Sequence, residues 1–408
     1  MKTCIHNCSL FIGEAMMSGW VLFEDDLILG TGDEKTPIPE ADAFIDAGGA
    51  SVLPGLFNLH VHIQRRHLSR PSGPSVFRES APAVENSPDT FRMVHAVKNA
   101  WSELLRGVTV IRDCGSKNRI NIALREMISR QIVGGPKVLA CGFGVAATGG
   151  HETHRYQGAV EADGPYEIRK AVRGELKAGA DFIKFMGSGG IGGMPEHEDP
   201  SWIEMDEDEL RAGITEAHRR GKKTAVHAMG EAAVLTALKA GIDSIEHGVC
   251  LSNEAIERMA EAGTAFVPTI SGITAVASRE QEFGSRQLGD LITQRVVVPL
   301  QESIRRAADA GLLIGCGTDT FGDVTQELEL LHQCGLSRID CLLAAGSRAA
   351  EICGLENSHG SLEKGKQADI VLVRGNPLED LGVLRQVELV IKSGIRVEYP
   401  WLAGMIQD

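Results

Sequence analysis

The sequence predicts an α/β protein, a (β/α)8 TIM-type barrel with a small β-domain built from both chain ends. Three observations point there. From Gly55 to about Ala350, short apolar runs alternate with amphipathic helical stretches, the rhythm of parallel strands buried on both faces. Eight such runs fit within about 300 residues, the usual size of a barrel, which sets it ahead of a doubly wound open sheet. The two ends lack long helices and carry short strand-like pieces instead. The expected division is 1–52 and 359–408 as the two parts of that β-domain, with 53–358 as the barrel.

Taken in order, the N-terminal flank has strand-like pieces at 19–23 and 27–30 and a turn signal at Gly32-Asp33. Barrel strands are expected at 56–62, 108–113, 137–141, 181–186, 224–227, 244–247, 265–269 and 312–318. Helical patterns lie between them, as at 205–220, 231–240 and 254–262. The stretch 270–298 after the seventh strand reads as a long loop over the barrel mouth, or equally as a solvated helical face. Its Arg279, Arg286 and Arg295 offer a cation for a carboxylate. The C-terminal flank has strand patterns at 369–373, 387–392 and 396–399.

Composition bounds the function. The chain has 408 residues, 43% of them hydrophobic, enough for a large core, and a net charge of −14. That charge argues against nucleic-acid or anionic-membrane partners, and the short cluster Arg65-Arg66-His67 reads as solvated. No apolar stretch reaches the roughly 18–20 residues needed to span a bilayer. His6, Asn7, Ser9, Gly13 and Glu14 interrupt any signal-peptide core, so a cytoplasmic location is expected. The nine cysteines form no C-x-x-C pair; Cys114, Cys141 and Cys316 sit in apolar runs and read as core filling.

The chemistry lies at the strand ends. His60 and His62, two apart on one strand, point to the same side and can grip one cation. Lys184 lies on the fourth strand, His227 closes the fifth, His247 the sixth, and Asp319 the eighth. All project at the C-terminal mouth, where barrels build active sites. A lone strand histidine is ordinarily a hydrogen-bonded core residue. A whole set of polar groups ending successive buried strands is not, since each costs roughly 2–7 kcal/mol if left unpaired. Lys184 is either salt-bridged at its strand end or a neutral amine that has captured carbon dioxide as a metal-bridging carbamate; nearby cations favour the neutral form.

These residues carry a resemblance. Thr148-Gly149-Gly150-His151, Ile183-Lys184 with Ser188-Gly189-Gly190, Ala225-Val226-His227-Ala228 and Ile245-Glu246-His247-Gly248 resemble motifs of the amidohydrolase superfamily, in its two-metal branch with a carboxylated lysine. The late run from Gly360 to Val373 resembles the return of the chain into that family's β-sandwich. Within it, the chain is most similar to the imidazolonepropionase-related group containing Xaa-Pro dipeptidases and metal-dependent carboxypeptidases.

The resemblance implies that His60, His62, Asp319 and carboxylated Lys184 hold one metal, and carboxylated Lys184, His227 and His247 a second. Zinc suits these ligands first. It further implies a bridging hydroxide as nucleophile, with Asp319 shuttling its proton to the leaving nitrogen. His151 is expected to bind or polarise the substrate carbonyl; alone it reads as a surface-loop residue. His154 and Arg155 lie close enough in sequence to help bind an anion. At Met229 the dipeptidases often carry a tyrosine that contacts the substrate carboxylate, so a more apolar or larger substrate is expected. The acidic run Glu196-His197-Glu198-Asp199 is either an exposed loop or a feature favouring a cationic side chain.

The expected function is metal-dependent hydrolysis of an amide or peptide C–N bond, in a dipeptide or N-acyl amino acid. The expected partners are a small-molecule substrate and further copies of the chain, with neither nucleic acid nor membrane. Two alternatives remain: a cyclic-amide hydrolase or heterocycle deaminase, and a non-catalytic scaffold of the same fold. Most deaminases use one metal without a lysine bridge, and a scaffold predicts eroded ligands, whereas all six positions are intact.

Overall fold

The computed structural model describes residues 1–65, 87–153, 157–194 and 197–398; Arg66, His67, His154, Arg155, Glu196 and Tyr399 lie outside them. At the N-terminus, β1 (Lys2–Ile12), β2 (Ala15–Glu24) and β3 (Leu27–Asp33) form an antiparallel meander. β4 (Ala43–Asp46) and β5 (Ser51–Pro54) run parallel to successive parts of β1. The polar residues His6, Asn7 and Ser9 hid β1 from a reading by apolar runs, although most of its side chains are buried.

The chain then enters an α/β body of parallel strands. β6 (Leu56–Val61), β7 (Val108–Asp113) and β8 (Lys137–Ala140) form one sheet. A second contains β9 (Gly144–Ala146), β10 (Ala159–Glu161), β11 (Ile183–Met186), β12 (Thr224–Ala228), β13 (Ser244–His247) and β14 (Ala265–Val267). Its order is β10-β9-β11-β12-β13-β14, and every pairing in it is parallel. The Asp181 N–H donates to the Ala140 carbonyl at 2.8 Å, joining the two sheets at one edge.

At the other edge the expected eighth strand, 312–318, is not a strand. It is held by isolated bridges, Phe266 with Ile314 and Val61 with Asp319. The Leu59 N–H donates to the Cys316 carbonyl at 2.8 Å, and the Gly315 N–H to the Phe266 carbonyl at 2.9 Å. The segment passes so close to its neighbours that a Cβ on Gly317 would lie 2.6 Å from Val267 and 2.8 Å from the Cβ of His60. Glycine permits that approach and weakens a regular strand.

Helices separate the strands: α1 (Asp89–Leu105), α2 (Ile120–Ser129), α3 (Gly164–Ala178), α4 (Glu207–His218), α5 (Glu231–Ala240) and α6 (Asn253–Ala262). α4 starts where Asp206 and Glu209 form a reciprocal capping box. α5 ends on left-handed Gly241, which turns the chain back toward β13. The stretch 270–298 is helical rather than a loop. α7 (Ile270–Phe283), α8 (Arg286–Ile292) and a π-turn (Thr293–Val297) lead into α9 (Val298–Asp309). Arg295 there pairs with Asp199 at 2.9 and 3.1 Å, and Arg279 lies 4.8 Å over the Phe321 ring. α10 (Val324–Gln333), α11 (Arg338–Ala344) and α12 (Ser347–Cys353) complete the body.

β15 (Ile370–Val373), β16 (Val387–Lys392) and β17 (Ile395–Arg396) return to the first sheet, in the order β17-β16-β15-β5-β1-β2-β3 with β4 beside β1. Ile5, Leu10, Val21, Ile28 and Val52 from the early strands pack with Leu362, Ile370, Leu372, Leu389 and Ile391 from the late ones. The fold is thus α/β with parallel sheets, plus an eight-stranded sheet to which both flanks contribute. All nine cysteines are free, and burial pushes the Cys114 thiol up to about 12, as core filling requires. Among the described residues, no helix is long and apolar enough to cross a membrane.

Candidate active site

β6 carries His60 and, one residue past its end, His62 into the same cavity, and the parallel register sets Met186 beside His227 and Ala228 beside His247. One cavity results, lined by His60, His62, Lys184, His227, His247 and Asp319, all six of the expected ligands. Ring centroids are 5.4 Å apart for His60 and His62, 4.9 Å for His60 and His247, and 4.5 Å for His227 and His247. Ligand atoms of His60, His62 and Asp319 lie within 4.8 Å of one another, and the His62 Nε2 is 3.6 Å from Asp319 Oδ1.

Burial, reinforced by the charge of Lys184 and neighbouring cationic groups, holds His60, His62, His227 and His247 well below the ordinary imidazole value. A neutral ring keeps the lone pair that a metal requires. Lys184 is 1% exposed, and among the described residues no hydrogen bond or ion pair engages its ammonium. The salt-bridged reading of Lys184 therefore fails. Burial also raises the Asp319 carboxyl, which accepts a hydrogen bond from the Thr320 hydroxyl at 3.1 Å.

His151 stacks on His227 with centroids 4.0 Å apart. Its Nδ1 is 3.1 Å from Glu198 Oε1, and its backbone N–H donates to Glu204 at 2.7 Å. Burial opposes a charge on this ring, but Glu198, Glu152 and Glu204 outweigh it and raise the His151 pKa. Met229 lines the cavity beside Met186, Ile191, Val276 and Phe321.

Three expectations need correction. Arg65 is buried in the cavity wall, not solvated: it donates to the Thr320 hydroxyl at 2.9 Å and pairs with Glu152, which neutralises it. Glu198 and Asp199 are engaged by His151 and Arg295, so neither stands free for a cationic substrate. Arg295 is occupied in the same way. Arg155 and His154 fall outside the described residues.

The supporting partners were missed from sequence. His60 Nδ1 lies 2.8 Å from Glu246, His62 Nδ1 3.0 Å from the Gly115 carbonyl, and His247 Nδ1 2.7 Å from the Thr269 hydroxyl. Glu246 and Arg112, charged residues inside buried strands, were the available signal.

The family described as "Amidohydrolase family" matches residues 51–397. Ochratoxinase from Aspergillus niger is 26% identical over 366 residues, covering 83% of this chain and 73% of its own. The crystal structure of a Xaa-Pro dipeptidase with methionine bound in its active site has a TM-score of 0.85 at 28% identity, covering 98% of this chain and all of that one. A prolidase complexed with N-methylphosphonate-L-proline gives 0.85 at 27% identity, with 98% and 100% covered.

Proposed function

The chain belongs to the amidohydrolase family and is a hydrolase acting on C–N bonds; from that premise we propose that it is a metal-dependent enzyme cleaving the amide bond of a dipeptide or N-acyl amino acid. One observation carries the proposal: four buried imidazoles and Asp319 share a cavity with a buried lysine that has no anionic partner among the described residues. This donor set fits two divalent cations, zinc first. His60, His62 and Asp319 would hold one, His227 and His247 the other, and Lys184, carboxylated by carbon dioxide, would join both. When bound, the cations supply Lewis-acid activation of water and of the scissile carbonyl.

The chain's own residues do the rest. Asp319, at the mouth and close to His62, accepts a proton and passes it to the leaving nitrogen. His151, stacked at the edge of the cavity, donates to the substrate carbonyl oxygen as charge develops there. Met229, Met186, Ile191, Val276 and Phe321 form an apolar wall that suits a larger apolar group than proline. We also propose that the two parallel sheets and the segment 312–319 form one closed (β/α)8 barrel, with the flank sheet folded as its sandwich. The reading includes a cytoplasmic, homo-oligomeric protein acting on a small molecule.

Two measurements test it. Purified protein should hold close to two divalent metals per chain, and Lys184→Ala should lose most of them; normal metal content in that variant excludes the lysine bridge. A metal-reconstituted screen of dipeptides and N-acyl amino acids should find turnover, with apolar side chains preferred. Silence across that library with activity on lactams or heterocycles overturns the substrate class.

A further inference from the structure

A strand ordinarily turns consecutive side chains to opposite faces. β13 ends on two consecutive residues that both bear on the site: His247, with a left-handed backbone of φ 74°, lines the cavity, and Glu246 contacts His60. Glu246 is wholly buried, with Oε2 2.8 Å from His60 Nδ1. Its other oxygen accepts from Arg112 Nη2 at 2.6 Å and from the Ser244 hydroxyl at 2.7 Å. Arg112 is anchored in turn. Its Nε donates to the Leu59 carbonyl at 2.6 Å, Nη1 donates to the Ser244 hydroxyl at 3.2 Å, and the Phe182 ring lies 5.3 Å away. Both carboxylate oxygens are therefore engaged, and the guanidinium that holds them is tied to the strand carrying His60.

We infer that Glu246 is the positioning residue for His60, fixing the imidazole with its Nδ1–H on the carboxylate and its Nε2 lone pair open to the cavity. Glu246 Oε2, 2.8 Å from Nδ1 and held in place through its other oxygen by Arg112, is set to accept from Nδ1, which leaves Nε2 facing the cavity. Arg112 offsets the buried charge that this arrangement requires. The inference rests on reading the cavity as a cation site. β13 then supplies a ligand with His247 and, one residue earlier, orients a ligand delivered by β6.

The test compares wild type with Glu246→Gln and with the double variant Arg112→Met/Glu246→Gln, which removes both buried charges together. Zn²⁺ affinity of chelator-stripped protein is measured by competition with a chromophoric chelator, and ring ¹⁵N spectra of histidine-labelled, metal-free protein report the His60 tautomer, assigned with His60→Asn. Wild type should show the Nδ1–H tautomer at His60. Glu246→Gln should bind Zn²⁺ about 10–100-fold more weakly. The double variant should regain the wild-type melting temperature and keep the weakened affinity, separating positioning from packing. Wild-type Zn²⁺ affinity in either folded variant, or an Nε2–H tautomer in wild type, overturns the inference. Failure of wild type to bind Zn²⁺ at all overturns the cation-site reading instead, while the tautomer still decides the placement of His60.

Discussion

His247, Thr269 and Asp319 hold left-handed backbone, with φ of 74°, 55° and 54°, and none is glycine. Each such conformation costs roughly 1–3 kcal/mol, so the surrounding structure must impose it. The return is placement: Thr269 reaches the His247 ring, and Asp319 swings beside His62. Asp319→Asn keeps this shape and, on the proposed mechanism, removes the proton acceptor. Its kcat should fall by about 100-fold or more with little change in KM or circular dichroism; near-normal turnover would exclude Asp319 as the shuttle. The six residues that line the cavity together were legible because a histidine, lysine or aspartate ending an apolar run breaks the pattern around it. Glu246 breaks its run in the same way, but the partner that gives it a role is 186 residues away and does not show in the sequence. Arg65 misled for the same reason: Glu152, which buries its charge, is 87 residues distant.

Between elements, one contact links titration to folding. Glu327 on α10 accepts the backbone N–H groups of Ile270 at 3.1 Å and Ser271 at 2.7 Å, at the start of α7. Burial nonetheless dominates and lifts its carboxyl from 4.5 to about 7. Over that interval the folded protein keeps a proton that the unfolded chain has released, so this group's contribution is full below pH 4.5 and is lost as pH rises to about 7. The loss is on the order of 3 kcal/mol, at about 1.4 kcal/mol per pKa unit. Glu327→Gln should therefore gain stability relative to wild type between pH 5 and 8 in chemical denaturation; parallel pH profiles would refute the linkage. The helical character of 270–298 was hard to read. Ile270, Ile273, Val276 and Ala277 keep a helical spacing, but Gly272, Gly284 and Gly289 interrupt it. The segment 312–318 showed its apolar content in sequence and concealed the tight approach of Gly317 to His60.

At the scale of the molecule, neither flank can form its sheet alone. Val371 pairs with Leu53, and Ser51 donates to the Gly375 carbonyl, 324 residues along the chain, at 2.6 Å. Deleting 359–398 would strip Ile370, Leu372, Leu389 and Ile391 from that core. At roughly 1.5–3 kcal/mol each, their burial amounts to about 6–12 kcal/mol, comparable with the whole net stability of a typical domain, about 5–15 kcal/mol. The shortened chain should aggregate or elute as an expanded species in size exclusion; a monodisperse, folded product would show that the early strands suffice.

That same pairing imposes a timetable on synthesis. At about 5–20 residues per second, the roughly 300 residues between β5 and β15 take about 15–60 s to emerge from a ribosome. Throughout that interval Val52 and Leu53 lack the β15 residues that pair with them, leaving that strand edge available to other chains. β15 is thus the strand that ends this exposure to misassembly.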